Sequence, residues 1–230
     1  MGGDFIPVDG KPAPVTFDKA FPYVPTRTWR IADLNNPILQ AWTREALKKN
    51  NEVIQAGGTG YNRSVSCWPM GVPAFLFDRN EPVYFVQTPK EVVMIWEEDQ
   101  QTRHVYLDVP HSSNPRLSWY GESVGHYENG DTLVVDTIGL NEKTFVDNYR
   151  TPHTAQLHVV ERFRLVDNGQ AIEVSVHVDD PGTFTQSWDA IQRYRRVDRG
   201  PMMESPCADN NAAIVSRDYE PIPQADKPDF

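Results

Sequence analysis

Two hydrophobic periods divide the chain. Ile38, Leu39, Trp42, Ala46 and Leu47 recur at helical spacing; Asn36 can cap the start, Pro37 suits the first helical position, and Gly57-Gly58 stops the run. The spacing predicts one helix with an apolar stripe against a core. From Val83 the period falls to two. Val83–Gln87, Glu91–Glu97, Thr102–Val109, Leu117–Tyr127, Thr132–Ile138, Leu157–Val166, Ile172–Val178 and Thr185–Arg195 read as strands. Thr88-Pro-Lys90, Glu128-Asn-Gly-Asp131 and Asp167-Asn-Gly-Gln170 are short turn signals, and Asn-Gly is good hairpin chemistry. About eight strands in chain order predict an antiparallel meander, which hides its edges most simply by closing. The expected fold is mainly β: a closed or nearly closed antiparallel meander, a lipocalin-like β-barrel, with one N-terminal helix and extended Pro-rich termini. Such a barrel can be filled by side chains or hold one small ligand.

Prolines set the outer boundaries. Pro7, Pro12, Pro14, Pro22 and Pro25 make residues 1–33 an extended arm lying on its own surface or a neighbour's, and Pro201, Pro206, Pro221, Pro223 and Pro228 make 199–230 an extended tail. A single domain spans 34–198. The arms suggest a homo-oligomer knitted by its termini. A formal net charge of −10 disfavours nucleic acid, whose phosphates need a basic surface. No apolar run approaches the roughly 20 residues of a membrane helix, so no membrane insertion is expected. Residues Met1–Phe5 have no basic start or apolar stretch, so no leader is expected in this chain. Two cysteines, Cys67 and Cys207, form either two buried thiols or one bridge from tail to body.

The chemistry starts from a misplaced carboxylate. In Leu157–Leu165 the alternation puts Leu157, Val159, Phe163 and Leu165 on one face and His158, Val160, Arg162 and Arg164 on the other. Glu161 lands on the apolar face. A buried carboxylate needs a partner or tends to hold its proton, so Glu161 is either half of a structural ion pair with an arginine or a base in a cavity. Asp136 shares a face with Val134 and Ile138, and the two carboxylates could face each other across the interior. The long connection 139–154 carries Asn141, Lys143, Asp147, Tyr149, Arg150 and His153, where chemistry or mere connection can reside. Tyr120, Glu122, Val124 and His126 share a face that is either solvent side or polar cavity wall.

His153 and His158 lie five apart across a loop–strand junction, and the other histidines are scattered, so no metal site is expected. No glycine-rich strand-to-helix turn is present, so no nucleotide cofactor is expected either. Gly121-Glu-Ser-Val-Gly125 matches a nucleophile-elbow pattern, but it lies within the meander and not before a helix.

The run Ser118-Trp-Tyr-Gly-Glu-Ser-Val-Gly-His-Tyr-Glu-Asn-Gly-Asp-Thr-Leu-Val-Val-Asp-Thr-Ile-Gly-Leu-Asn141, with Pro152-His-Thr-Ala-Gln-Leu-His-Val-Val-Glu-Arg162 and Val178-Asp-Asp-Pro-Gly-Thr-Phe-Thr185, resembles a large, poorly characterised family of bacterial proteins, many of them exported. The likeness covers about Ala41 to Asn210, including Cys67-x-Pro69-x-Gly71-x-Pro73 and Cys207-x-x-Asn210. By resemblance the matching site positions are Asn141, Thr144, Asp147, His153, His158, Glu161 and Arg162. Gln156 departs from the acidic residue that family members favour. The exported relatives raise the odds of a Cys67–Cys207 bridge and imply a periplasmic or exported location, a cytoplasmic one being the alternative.

The expected function is a cofactor-independent lyase or isomerase, moving a proton on a small apolar or aromatic molecule held in the barrel. Glu161 or Asp136 would be the base and His153 or His158 the acid. Tyr120, Lys143, Asp147, Tyr149, Arg150, Glu122 and His126 would hold the substrate. The alternative is a non-catalytic carrier of a hydrophobic ligand.

Overall fold

The computed structural model describes residues 4–21, 30–58, 67–77, 82–198 and 200–207. Nine strands form one sheet: β1 (Ile6–Pro7), β2 (Val83–Gln87), β3 (Glu91–Trp96), β4 (Thr102–Leu107), β5 (Glu122–Glu128), β6 (Thr132–Ile138), β7 (His158–Val166), β8 (Ala171–Asp179) and β9 (Trp188–Arg195). Their spatial order is β1-β9-β8-β7-β6-β5-β4-β3-β2. The eight strands read from the alternation, β2 to β9, are all present, and the fold is mainly β.

The sheet departs from the expected barrel in two ways. It is not closed: β1 and β2 are its two edges and, among the described residues, no ladder joins them. It is also not wholly antiparallel, because β4 and β5 run parallel, with Val105 opposite Ser123. Parallel neighbours need a crossover rather than a turn. The segment 108–121 supplies it, because β5 begins at Glu122 and not near Leu117. Gly121 marks that break: it sits at φ +63°, and a Cβ there would lie 2.3 Å from the Ile138 carbonyl oxygen, so only glycine fits.

The open sheet is nevertheless strongly rolled. Phe85 on β2 meets Phe163 on β7 edge to face, 5.9 Å between ring centroids. Across a flat sheet these strands would stand roughly 24 Å apart, at about 4.8 Å per strand. Rolling brings the inner face around one apolar cluster that includes Val92, Met94, Val135, Val159, Val176 and Trp188. Phe5 from the arm, Leu47 from the helix and Phe75 from 67–77 pack into the same cluster.

The helix α1 runs Ala41–Gln55, four residues later than the spacing predicts from Pro37. Asn36 caps a turn instead: its side-chain oxygen accepts the Ile38 N–H (3.1 Å) and its amide reaches the Ala13 and Pro14 carbonyls. Ile38 and Leu39 are buried but precede the helix, and Leu39 bridges to Phe184. Trp42 is 45% exposed, donating its indole N–H to the Gly182 carbonyl. The buried stripe is Thr43, Leu47, Asn51 and Ile54. Its two polar members are satisfied, Thr43 by the Thr183 carbonyl and Asn51 by both backbone groups of Ala32.

The described part of the N-terminal arm lies on its own body. Ile6 pairs with Ile191 and Pro7 with Ala190, and proline is tolerated there because β1 is an edge. Cys67 and Cys207 are disulfide-bonded, 140 residues apart in sequence with Cα atoms 5.5 Å apart. The tail's later prolines and Asn210 lie outside the described residues. Among the described residues no helix is long and apolar enough to cross a membrane.

Candidate functional site

Strand alternation places the two misplaced carboxylates on opposite faces. Val135 pairs with Glu161, and Asp136 with Val160. Glu161 therefore points to the inner face and Asp136 to the outer one. They do not face each other across the interior, because successive residues of a ladder alternate sides.

Glu161 is 0% exposed and paired with Arg103, also fully buried. Arg103 Nη1 donates to Oε1 at 3.1 Å and Nη2 to Oε2, a bidentate fork. The guanidinium is satisfied further by Ser123 Oγ (3.2 Å) and Thr137 Oγ1 (2.9 Å), and it lies 5.8 Å from the Phe75 ring centre. Of the two readings of Glu161, the structural ion pair is the one found. With its oxygens bonded and no access to solvent, Glu161 is poorly placed to meet a substrate. Arg103 itself was legible: it shares parity with Val105 and Leu107, a charge misplaced on an apolar face just as Glu161 is.

Asp136 has the opposite setting. Its Oδ1 faces His158 Nε2 at 2.8 Å and His111 Nε2 at 3.0 Å. His111 Nδ1 reaches Glu122 Oε1 at 3.0 Å, and the Ser112 backbone N–H donates to that same oxygen at 2.7 Å. Glu122, His111, Asp136 and His158 thus form one chain of alternating carboxylates and imidazoles. It is built from β5, β6, β7 and the crossover. The Asp136 and His158 side chains are each 39% exposed, so solvent and small molecules reach them.

The electrostatics follow from these bonds. The His158 hydrogen bond holds the Asp136 carboxyl below its usual range, against a smaller opposing effect of burial. The same bond raises His158 above an ordinary histidine, and the Asp179 charge adds to it. Ser112, through its side chain and backbone, lowers Glu122. His158 spends Nε2 on Asp136, which leaves Nδ1 to exchange a proton.

The long connection is a clamp. His153 is 2% exposed, with Nδ1 against the Thr154 carbonyl (3.0 Å) and Nε2 against Thr144 Oγ1 (2.8 Å), so both nitrogens are engaged. Thr144 in turn fills the space above Gly71, where a Cβ would lie 2.7 Å from it. Asp147 is buried and accepts from the Tyr149 and Thr151 backbone N–H groups and the Thr151 hydroxyl. Burial pushes its carboxyl up to about 6 despite those bonds. Tyr149 is buried with its hydroxyl on Asp4, and burial raises it above the usual phenol range. Arg150 is buried and its guanidinium donates to the Asn50 carbonyl. Asn141 caps its own turn by accepting the Lys143 N–H at 3.0 Å.

The remaining candidates scatter. Gly121 breaks the alternation, so Tyr120 does not share a face with Glu122: it packs on Phe75 and its hydroxyl donates to Gln101. Lys143 stands 5.8 Å over the Trp119 ring. His126 is on the outer face beside Glu128, at 3.5 Å. Arg162 lies on that face too, 3.6 Å from Glu128. The structure therefore gathers Asp136, His158 and Glu122, and separates them from Glu161, His153, Tyr120, Lys143, Asp147, Tyr149 and Arg150. The missing member was His111, which carries no strand parity and arrives through the crossover. Among the described residues no group of three or more His, Cys, Asp or Glu is arranged to hold a metal ion. The chain matches no protein-family model, no curated protein and no solved structure.

Proposed function

We propose that the protein is a cofactor-independent acid–base enzyme, a lyase or isomerase, that moves a proton on a small apolar or aromatic carbonyl compound. The base is His158, oriented and electrostatically supported by Asp136, with His111 and Glu122 fixing Asp136 in place. One observation carries this reading: a single Asp136 oxygen gathers two imidazoles in a half-exposed position. Exposed ion pairs contribute about 0–1 kcal/mol of stability, so such a cluster is poorly explained as a fold-stabilising device. A raised histidine with one nitrogen open suits proton abstraction near neutral pH. The substrate is placed on the outer face, beside His158, rather than in the rolled interior.

The test is exchange of carbon-bound hydrogen for deuterium in D2O, followed by NMR over a panel of small ketones and aldehydes. Wild type should exchange an α-hydrogen faster than buffer, and Asp136→Asn and His158→Gln should lower that rate at least ~10²-fold. Exchange at the buffer rate in wild type, or exchange at the wild-type rate in both variants, overturns the assignment.

A second reading, a carrier for a hydrophobic guest on the inner face of the rolled sheet, has its own support. Trp96 Nε1, Trp188 Nε1 and Gln192 Nε2 are buried and lack a hydrogen-bond partner among the described residues. A guest with acceptor oxygens would satisfy them. Native mass spectrometry of the purified protein checks this, since a carrier should retain the guest. The Cys67–Cys207 bridge further favours an oxidising compartment such as a periplasm.

A further inference from the structure

His177 and Asp189 take no part in the site as described, yet the ladder puts them beside it. On β7 and β8, His158 is opposite Asp179 and Val160 is opposite His177. His158 and His177 are therefore diagonal neighbours on one face, roughly 7–8 Å apart at Cα. On β8 and β9, His177 is directly opposite Asp189, and its Nδ1 reaches Asp189 Oδ1 at 2.9 Å. Four consecutive strands thus present carboxylate, imidazole, imidazole, carboxylate: Asp136, His158, His177, Asp189.

The two pairs are symmetric in role. Each ring spends one nitrogen on its outer carboxylate, Nε2 in His158 and Nδ1 in His177, which leaves the other nitrogen for a reactant. Both rings are 39% exposed. Val160 lies between Asp136 and His177 along its ladder row and gives the site an apolar floor. The site has a wall on each side: His111 from the crossover stands against Asp136, and Lys11 from the arm lies 3.8 Å from Asp189.

We propose that His177, held by Asp189, is the general acid whose partner base is His158, and that the substrate class is a small β-hydroxy carbonyl compound. This rests on the proton-abstraction reading above. His158 Nδ1 takes the proton from the carbon next to the carbonyl. The electrons of that C–H bond form the new carbon–carbon double bond. The bond from the β-carbon to its hydroxyl breaks, its electron pair leaves with oxygen, and that oxygen takes a proton from His177 Nε2. The products are water and the α,β-unsaturated carbonyl compound; His158 ends with one proton more and His177 with one fewer, and solvent exchange restores both. No electron acceptor or donor is needed.

The probe is 4-hydroxy-4-phenylbutan-2-one, whose dehydration product absorbs in the near ultraviolet. Two rates are read on the same sample: exchange of its α-hydrogen in D2O, which needs only the base, and loss of water, which needs the acid as well. His177→Gln should lower the ratio of dehydration to α-exchange at least ~10²-fold. His158→Gln should lower both rates. Exchange without enzymatic dehydration in wild type, or equal dehydration in wild type and His177→Gln, overturns the role of His177 and leaves the base assignment standing. Exchange across the carbonyl panel but none with this probe overturns the substrate class. No exchange with either overturns the parent reading as well.

Discussion

The two faces of one sheet carry the same chemical motif in two settings. Inside, Glu161 meets Arg103 with both side chains fully buried; outside, Asp136 meets His158 with both about two-fifths exposed. The inner pair gains from a low effective dielectric and loses from desolvation, so its members are committed to each other. The outer pair is hydrated and screened, so it contributes little to stability and stays free to trade protons. The difference is set by strand parity: Val135 opposite Glu161, Asp136 opposite Val160. Burial, rather than residue type, decides which carboxylate is architecture and which is available for chemistry.

That contrast can be broken from either side. The largest effect should come from splitting the inner pair. Glu161→Ala leaves Arg103 buried with its charge uncompensated, and urea unfolding should show a loss of about 3–5 kcal/mol. Replacing both residues together, Arg103→Met with Glu161→Leu, should lose much less, because no lone charge remains. A double variant as unstable as Glu161→Ala alone would mean that the pair holds more than its own desolvation.

Asp147 is an intermediate case, a buried carboxylate held by neutral donors. Burial raises its folded value from 3.8 to about 6. A raised carboxylate contributes stability below its unfolded value and loses it as pH climbs through the folded one. The whole shift is worth about 3 kcal/mol at 1.36 kcal/mol per unit, of which roughly 2.5 kcal/mol is lost between pH 4 and pH 8. Denaturation of wild type and Asp147→Asn across this range should show the wild type losing that much more. Parallel pH curves would remove the claim.

The smallest stability change should come from the outer pair. Asp136→Asn should cost less than about 1 kcal/mol while moving the NMR titration of His158 downward, because the Asp136 bond is the main cause of its elevation. A large loss of stability with no movement in the titration would reverse the roles assigned to the two faces.

Much of the architecture was legible, because side-chain alternation is strict. The eight main strands and the inward turn of Glu161 both follow from parity alone. What parity cannot report is direction or closure. The β4–β5 pair is parallel, and the segment 108–121 that crosses between them ends at Gly121, whose positive φ leaves no mark in the apolar pattern. Closure depends on whether β1 and β2 find each other, and neither strand's sequence says so. Half of the site was visible, since Asp136, His158 and Glu122 lie on strands with readable faces. His111 was not, because it belongs to a loop whose path only the fold defines. His177 and Asp189 required the ladder register, which fixes who stands beside whom across strands.

The Cys67–Cys207 bond makes a covalent ring around every strand from β2 to β9. A protease that nicks any one exposed turn within that ring cannot release a fragment, so the nicked molecule keeps its mass until a reductant is added. Only residues ahead of Cys67 and beyond Cys207 can be trimmed away by single cuts.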